Sequence, residues 1–149
     1  MQVITALLVD EVRKHDNGGV DLIGLFEDIY FDAVPVKLES LGLYVDLSLS
    51  PADKGLAHTV EFALVSPDGE TRDEPTKIRF SVPSHAEFPR DSAQLDLVLF
   101  EQTFDTFGTY HVEIRKSGAV LRRVPLYVSA KSDLGTVAGA QTAFGESPG

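Results

Sequence analysis

These 149 residues predict an all-β fold: a two-layer antiparallel β-sandwich of about eight strands, immunoglobulin-like and Greek-key in character. Three observations carry that expectation. Apolar side chains recur at every second position through most of the chain, the period of a strand with one dry and one wet face. Turn residues punctuate these runs at short, regular intervals. No stretch sustains a helical period, and residues 27–40 and 84–92 have room for a turn or two of helix at most.

The elements follow in chain order. Residues 3–9 and 20–26 are apolar on both faces, which predicts two central strands covered on both sides. His15-Asp16-Asn17-Gly18-Gly19 joins them as a tight hairpin, because Asn-Gly reaches positive φ at little cost. Leu41, Leu43, Val45, Leu47 and Leu49 mark the next strand, with Asp46 and Ser48 on its other face, and Pro51 opens the connection after it. Val60, Phe62 and Leu64 alternate with Thr59, Glu61 and Ala63 and run into the turn Ser66-Pro67-Asp68-Gly69. Ile78, Phe80 and Val82 alternate with Lys77, Arg79 and Ser81, and Pro83 and Pro89 bracket the connection that follows. Leu95, Leu97 and Leu99 form a further strand around Asp96. Tyr110, Val112 and Ile114 oppose His111, Glu113 and Arg115, and Lys116-Ser117-Gly118 turns the chain into Val124, Leu126 and Val128.

Two details refine this picture. Pro125 has no N–H to give to a ladder, so the last strand is expected at an edge, or bulged at that point. Gly108-Thr109-Tyr110 reads as a tyrosine corner, with the phenol bonded to backbone just upstream.

Composition divides the chain into a sandwich over 1–128 and a Gly/Ala/Ser-rich tail over 129–149. The tail has no period and reads as unstructured. Its large apolar groups, Leu134, Val137 and Phe144, are the candidate partner-binding residues.

Thirteen Lys and Arg stand against 23 Asp and Glu, giving 13 − 23 = −10. The deficit falls on residues 1–100, while 101–149 are neutral. Such a balance argues against binding nucleic acid or an anionic membrane surface. The absence of cysteine removes disulfides, thiolate metal sites and thiol nucleophiles. The opening apolar run is seven residues, with no basic residues before it and Asp10-Glu11 after it, so neither a cleavable signal nor a membrane span is expected. A cytoplasmic location follows as the expectation.

No catalytic motif is present: no Gly-x-Ser-x-Gly, P-loop, Gly-x-Gly-x-x-Gly or His-Glu-x-x-His. His15, His58, His85 and His111 lie in four separate segments and read as surface histidines, not as a zinc set. Asp16-Asn17, Glu27-Asp28 with Asp32, and Asp68-Glu70 with Asp73-Glu74 lack the spacing of a calcium loop. No cofactor is expected. Phe100, Phe104 and Phe107 are expected to close one end of the sandwich. Lys77, Arg79, His111, Arg115, Arg122 and Arg123 form a basic set best used in cross-strand pairs with Glu61 and Glu113.

Several stretches together resemble a known family. Residues 7–36 (LLVDEVRKHDNGGVDLIGLFEDIYFDAVPV) hold a strand closed by an acidic pair, an Asn-Gly turn and the return strand Ile23-Gly24-Leu25-Phe26. With VEFALVSPDGE (60–70), IRFSVP (78–83) and FGTYHVEIRKSGAVLRRVPLYV (107–128), they are similar to a family of small bacterial proteins known only as a domain of unknown function. The resemblance covers about residues 3–128, implies an all-β cytosolic protein, and carries no activity or site residues to transfer.

The functional expectation is a non-enzymatic module that binds protein partners or itself through a sheet face, an edge or the tail. Two alternatives stand beside it. One is a component of a repeating assembly, such as a particle or phage-derived decoration protein. The other is a small-ligand binder or enzyme with its site in the loops.

Overall fold

The computed structural model of the chain describes residues 1–84 and 92–134. It is all-β, with two sheets packed face to face. Nine strands are described: β1 (Gln2–Lys14), β2 (Val20–Leu25), β3 (Asp28–Phe31), β4 (Val36–Ser48), β5 (Ala57–Val65), β6 (Thr76–Ser81), β7 (Ser92–Phe104), β8 (Gly108–Lys116) and β9 (Ala119–Ala130). One sheet has the order β2-β1-β4-β7 and the other β3-β9-β8-β5-β6. Every pairing is antiparallel except that of β3 with β9, where Asp28 to Phe31 run parallel to Tyr127 to Ala130.

The alternation read from the sequence decides what is buried. Leu41, Leu43, Val45 and Leu47 of β4 face Val60, Phe62, Val112, Ile114 and Leu126 of the other sheet in one core. Burying each such side chain fully contributes about 1.5–3 kcal/mol. At one end Phe104 packs on Tyr110 and Phe31, at ring-centroid distances of 4.9 and 5.4 Å. Phe104 therefore closes that end, whereas Phe100 is 65% exposed on β7 and Phe107 is 38% exposed.

The turns form for the expected reasons. Gly18 donates to the His15 carbonyl at 3.0 Å in the first hairpin, and Gly69 to the Ser66 carbonyl at 2.9 Å in the second. Ser117 and Gly118 both adopt positive φ, the geometry of a two-residue turn matched to strand twist. The Tyr110 hydroxyl donates to the Thr106 carbonyl at 2.8 Å and accepts its N–H at 3.3 Å, which is the tyrosine corner.

The structure revises several expectations. Residues 27–40, read as holding a turn or two of helix at most, contain no helix and hold β3 and the start of β4. β2 is not central: it sits at the sheet edge, with Ile23 and Leu25 exposed. It is not covered by two layers, and Leu25 at its end stands at the flank of the sandwich. His58 is not a surface residue. It is buried at 5% exposure, its Nε2 lies 2.8 Å from the Asp53 carbonyl, and its ring packs on Phe80. Finally, β9 lies between β3 and β8, yet β3 reaches it only from Tyr127 onward. Pro125, opposite His111, lies just before that contact, so β9 is an edge at the residue that lacks a donor. The bulge falls elsewhere, where the β8–β9 register shifts at Ile114/Arg115. β9 also extends through Ala130. His85, Pro89, Val137 and Phe144 lie outside the described residues.

Candidate functional site

The site arises from two strands that each lose a neighbour partway along. β1 pairs with β4 from Gln2 to Leu8 and with β2 from Val9 to Lys14. The exchange is possible because Gly42 lets the Val9 carbonyl approach β4 closely; a Cβ there would lie 2.3 Å from that oxygen. Over Gln2–Leu8, therefore, β1 has hydrogen-bonded strand neighbours on one side only among the described residues. β9 likewise has only β8 beside it from Ala119 to Leu126. These two open edges face each other across the flank of the sandwich.

Between them lies a cleft of about 630 Å³. Ala6, Leu7 and Leu8 of β1 form one wall, and Val124 and Pro125 of β9 the other. Leu25, Phe26, Glu27, Asp28 and Tyr30, from the β2–β3 junction, and Leu134 complete the lining. Leu25 is 58% exposed and Leu134 42%, an unusual use of large apolar side chains on a surface this acidic.

Backbone polarity in the cleft can be counted along β1. The Val3 carbonyl accepts from Nη2 of Arg122 at 2.8 Å, a staple from β9 across the seam. The Leu8 carbonyl accepts from the Phe26 N–H at 3.2 Å. Alternation then turns Ala6, two residues before Leu8, to the same open side. Among the described residues its N–H and C=O have no backbone partner on that side. On the opposite wall Pro125 presents no donor, so of the two edge residues that meet in the cleft Ala6 alone offers both a donor and an acceptor.

Several of the charged groups singled out from the sequence are paired with one another. Glu113 accepts from Arg123 at 2.9 Å and from Arg115 at 2.8 Å, and Arg115 also pairs with Glu61 at 3.8 Å. The hydrogen bond from Arg123, then that from Arg115, holds the Glu113 carboxyl below its ordinary range. In the Asp68–Glu70 loop the centre is occupied by Arg72, which binds Asp68 (2.7 Å), Glu70 and Asp105 (2.8 Å). Bonds from the Ser66 hydroxyl and Arg72 bring the Asp68 carboxyl down to about 2. Asp73 instead accepts from the Thr103 N–H at 2.7 Å. Asn17 accepts from the Gly19 N–H, and Asp32 pairs with Lys131. Among the described residues no three His, Asp or Glu side chains converge as a metal set.

Of the candidate partner-binding residues, Leu134 lies in the cleft and the other two fall outside the described residues; Glu27, Asp28 and Pro125, singled out on other grounds, line it as well. Ala6, Leu25, Phe26 and Arg122 were not recognised as site residues. Pro125 was the available signal, since a strand proline marks an open edge, and the apolar excess of β2 was a second.

A two-sheet all-β protein with an open lateral seam is the class these features define. The chain belongs to DUF6941, a family of unknown function, whose sequence model matches residues 4–129. No curated protein and no solved structure matches it. No helix among the described residues is long and apolar enough to cross a membrane.

Proposed function

We propose that this chain is a non-enzymatic interaction module that accepts an extended segment of a partner protein in the β1/β9 cleft. The single observation that carries this is the free, donor-competent edge of β1 at Ala6, set among apolar side chains beside a proline-blunted edge of β9. An added strand would take its main-chain bonds from Ala6 and bury alternate side chains against Leu25, Phe26 and Val124. Glu27 and Asp28 on the lining favour a segment that carries a Lys or Arg beside its apolar residues. The parallel β3–β9 pair and the Tyr110 corner support placing the sandwich in the immunoglobulin-like group.

The test is site-resolved photo-crosslinking in the source cell. A photoreactive residue at Leu25 should capture a partner, and the same group at Phe100, on the far edge strand, should not. Ala6→Pro removes the edge N–H while leaving the β4 side of β1 bonded, and should abolish the adduct at Leu25. Equal capture at both positions, or capture indifferent to Ala6→Pro in a folded variant, would refute the assignment.

A further inference from the structure

We propose that the segment this cleft accepts is the C-terminus of a partner protein, its free carboxylate held by Arg122 and a Lys or Arg about four residues upstream held by Glu27 and Asp28. This names the partner of the strand-accepting cleft and rests on that reading.

The two walls run in the same direction and are tied at both ends. At one end the Val3 carbonyl of β1 is stapled by Arg122 of β9. At the other, the Leu8 carbonyl accepts from the Phe26 N–H at 3.2 Å and the Glu27 carbonyl from the Tyr127 N–H at 2.8 Å, so Phe26-Glu27 links Leu8 to Tyr127. Leu8 lies five positions after Val3, and Tyr127 five after Arg122. The slot between the ties is therefore about 17 Å long, room for about five extended residues. An internal stretch of a partner would have to leave past both ties, whereas a chain end need pass only one.

Charge sets the direction of entry. Glu27 and Asp28 stand at the Leu8 end, and among the described residues neither carboxylate forms an ion pair. At the Val3 end Arg122 meets a neutral carbonyl and, among the described residues, no carboxylate. A C-terminal segment running antiparallel to β1 brings its carboxylate to Arg122 and its upstream residues to Glu27 and Asp28. A parallel one would set its carboxylate against the two acids. On binding, Arg122 exchanges a neutral acceptor for a charged one, a stronger bond that can be bidentate. The released Val3 carbonyl is then free to accept an N–H of the incoming strand. Ile4, next to Val3, is 55% exposed and leaves apolar surface at that end for an aliphatic last residue.

The test uses random heptapeptides displayed at the C-terminus of a carrier protein, and the same library followed by a fixed Gly-Ser tail, each selected on the full chain. The free-end library should yield sequences with an aliphatic last residue and a Lys or Arg upstream, and the tailed library should not. A selected sequence, synthesised as the free acid and as the C-terminal amide, should bind at least ten times tighter as the acid by fluorescence anisotropy. Arg122→Gln keeps a donor for the Val3 carbonyl without the charge. It should bring the acid down to the affinity of the amide and leave the amide unchanged, which also reports a folded variant. No enrichment from the free-end library, equal enrichment from both, or equal affinity of acid and amide would overturn the proposal. If the Leu25 photo-adduct still depends on Ala6 in any of those cases, the C-terminus assignment alone fails. Loss of the adduct as well removes the cleft.

Discussion

Replacing Tyr110 by Phe isolates the corner that fixes the β7–β8 crossover. Tyr110 is 1% exposed, and its ring packs on Phe104, contacts that Phe retains. What is lost is one hydroxyl, which serves the Thr106 carbonyl at 2.8 Å and the Thr106 N–H at 3.3 Å. Two backbone groups then lack their partner. At about 1 kcal/mol for each such bond, the loss is about 2 kcal/mol. For a chain of this length that corresponds to a fall in Tm of about 4–8 °C. Scanning calorimetry should show it, and urea unfolding should show a lower midpoint with an unchanged slope. Tyr127→Phe is the control, because Tyr127 is 42% exposed and should stay within about 0.5 kcal/mol of the parent. A Tyr110→Phe midpoint no lower than that of Tyr127→Phe would refute the corner as a stabilising device.

Three further outcomes are expected. Gly42→Ala sets a Cβ 2.3 Å from the Val9 carbonyl oxygen, so β1 must shift; urea unfolding should show a loss of about 1–3 kcal/mol, with faster amide exchange in the β1–β2 hairpin. Asp68 titrates at about 2 in the folded chain against 3.8 ordinarily, so its contribution is full above the higher value and is lost as pH falls toward the lower. Glu113, also lowered, acts with the same sign; Tm should drop between pH 4 and 2, and Arg72→Leu should flatten that drop. Arg122→Met removes the staple on the Val3 carbonyl, and the Ala6 amide should exchange several-fold faster at a stability cost of no more than about 1 kcal/mol.

The sandwich was legible because most of its strands bury one face. Leu41 to Leu49 and Tyr110 to Ile114 state their own orientation, and Tyr110 announces its corner two residues after Gly108. β3 was not legible: four residues, Asp-Ile-Tyr-Phe, are too short to show a period, and its parallel partner lies far along the chain. The apolar run of β2 resembled a doubly covered strand because sequence does not distinguish a central strand from an edge strand whose apolar side chains stay exposed. His58 defied its type because the carbonyl of Asp53 satisfies its ring nitrogen inside the fold. The cleft depends on which strand edges go unpaired, a property of register, and Pro125 with the apolar end of β2 wrote only a small part of it into the sequence.

The Arg122–Val3 staple joins residues 119 positions apart, and β3 waits for β9 across almost as long a separation. Closing such loops costs entropy before any contact rewards it, which places this chain among slow, topology-limited folders. During synthesis β1 and β4 can pair while β9 is still inside the ribosome, so the flank of the sandwich is the last part to form. For that interval the β1 edge stands without its opposite wall, and the nascent chain is then most open to mispairing with a neighbour.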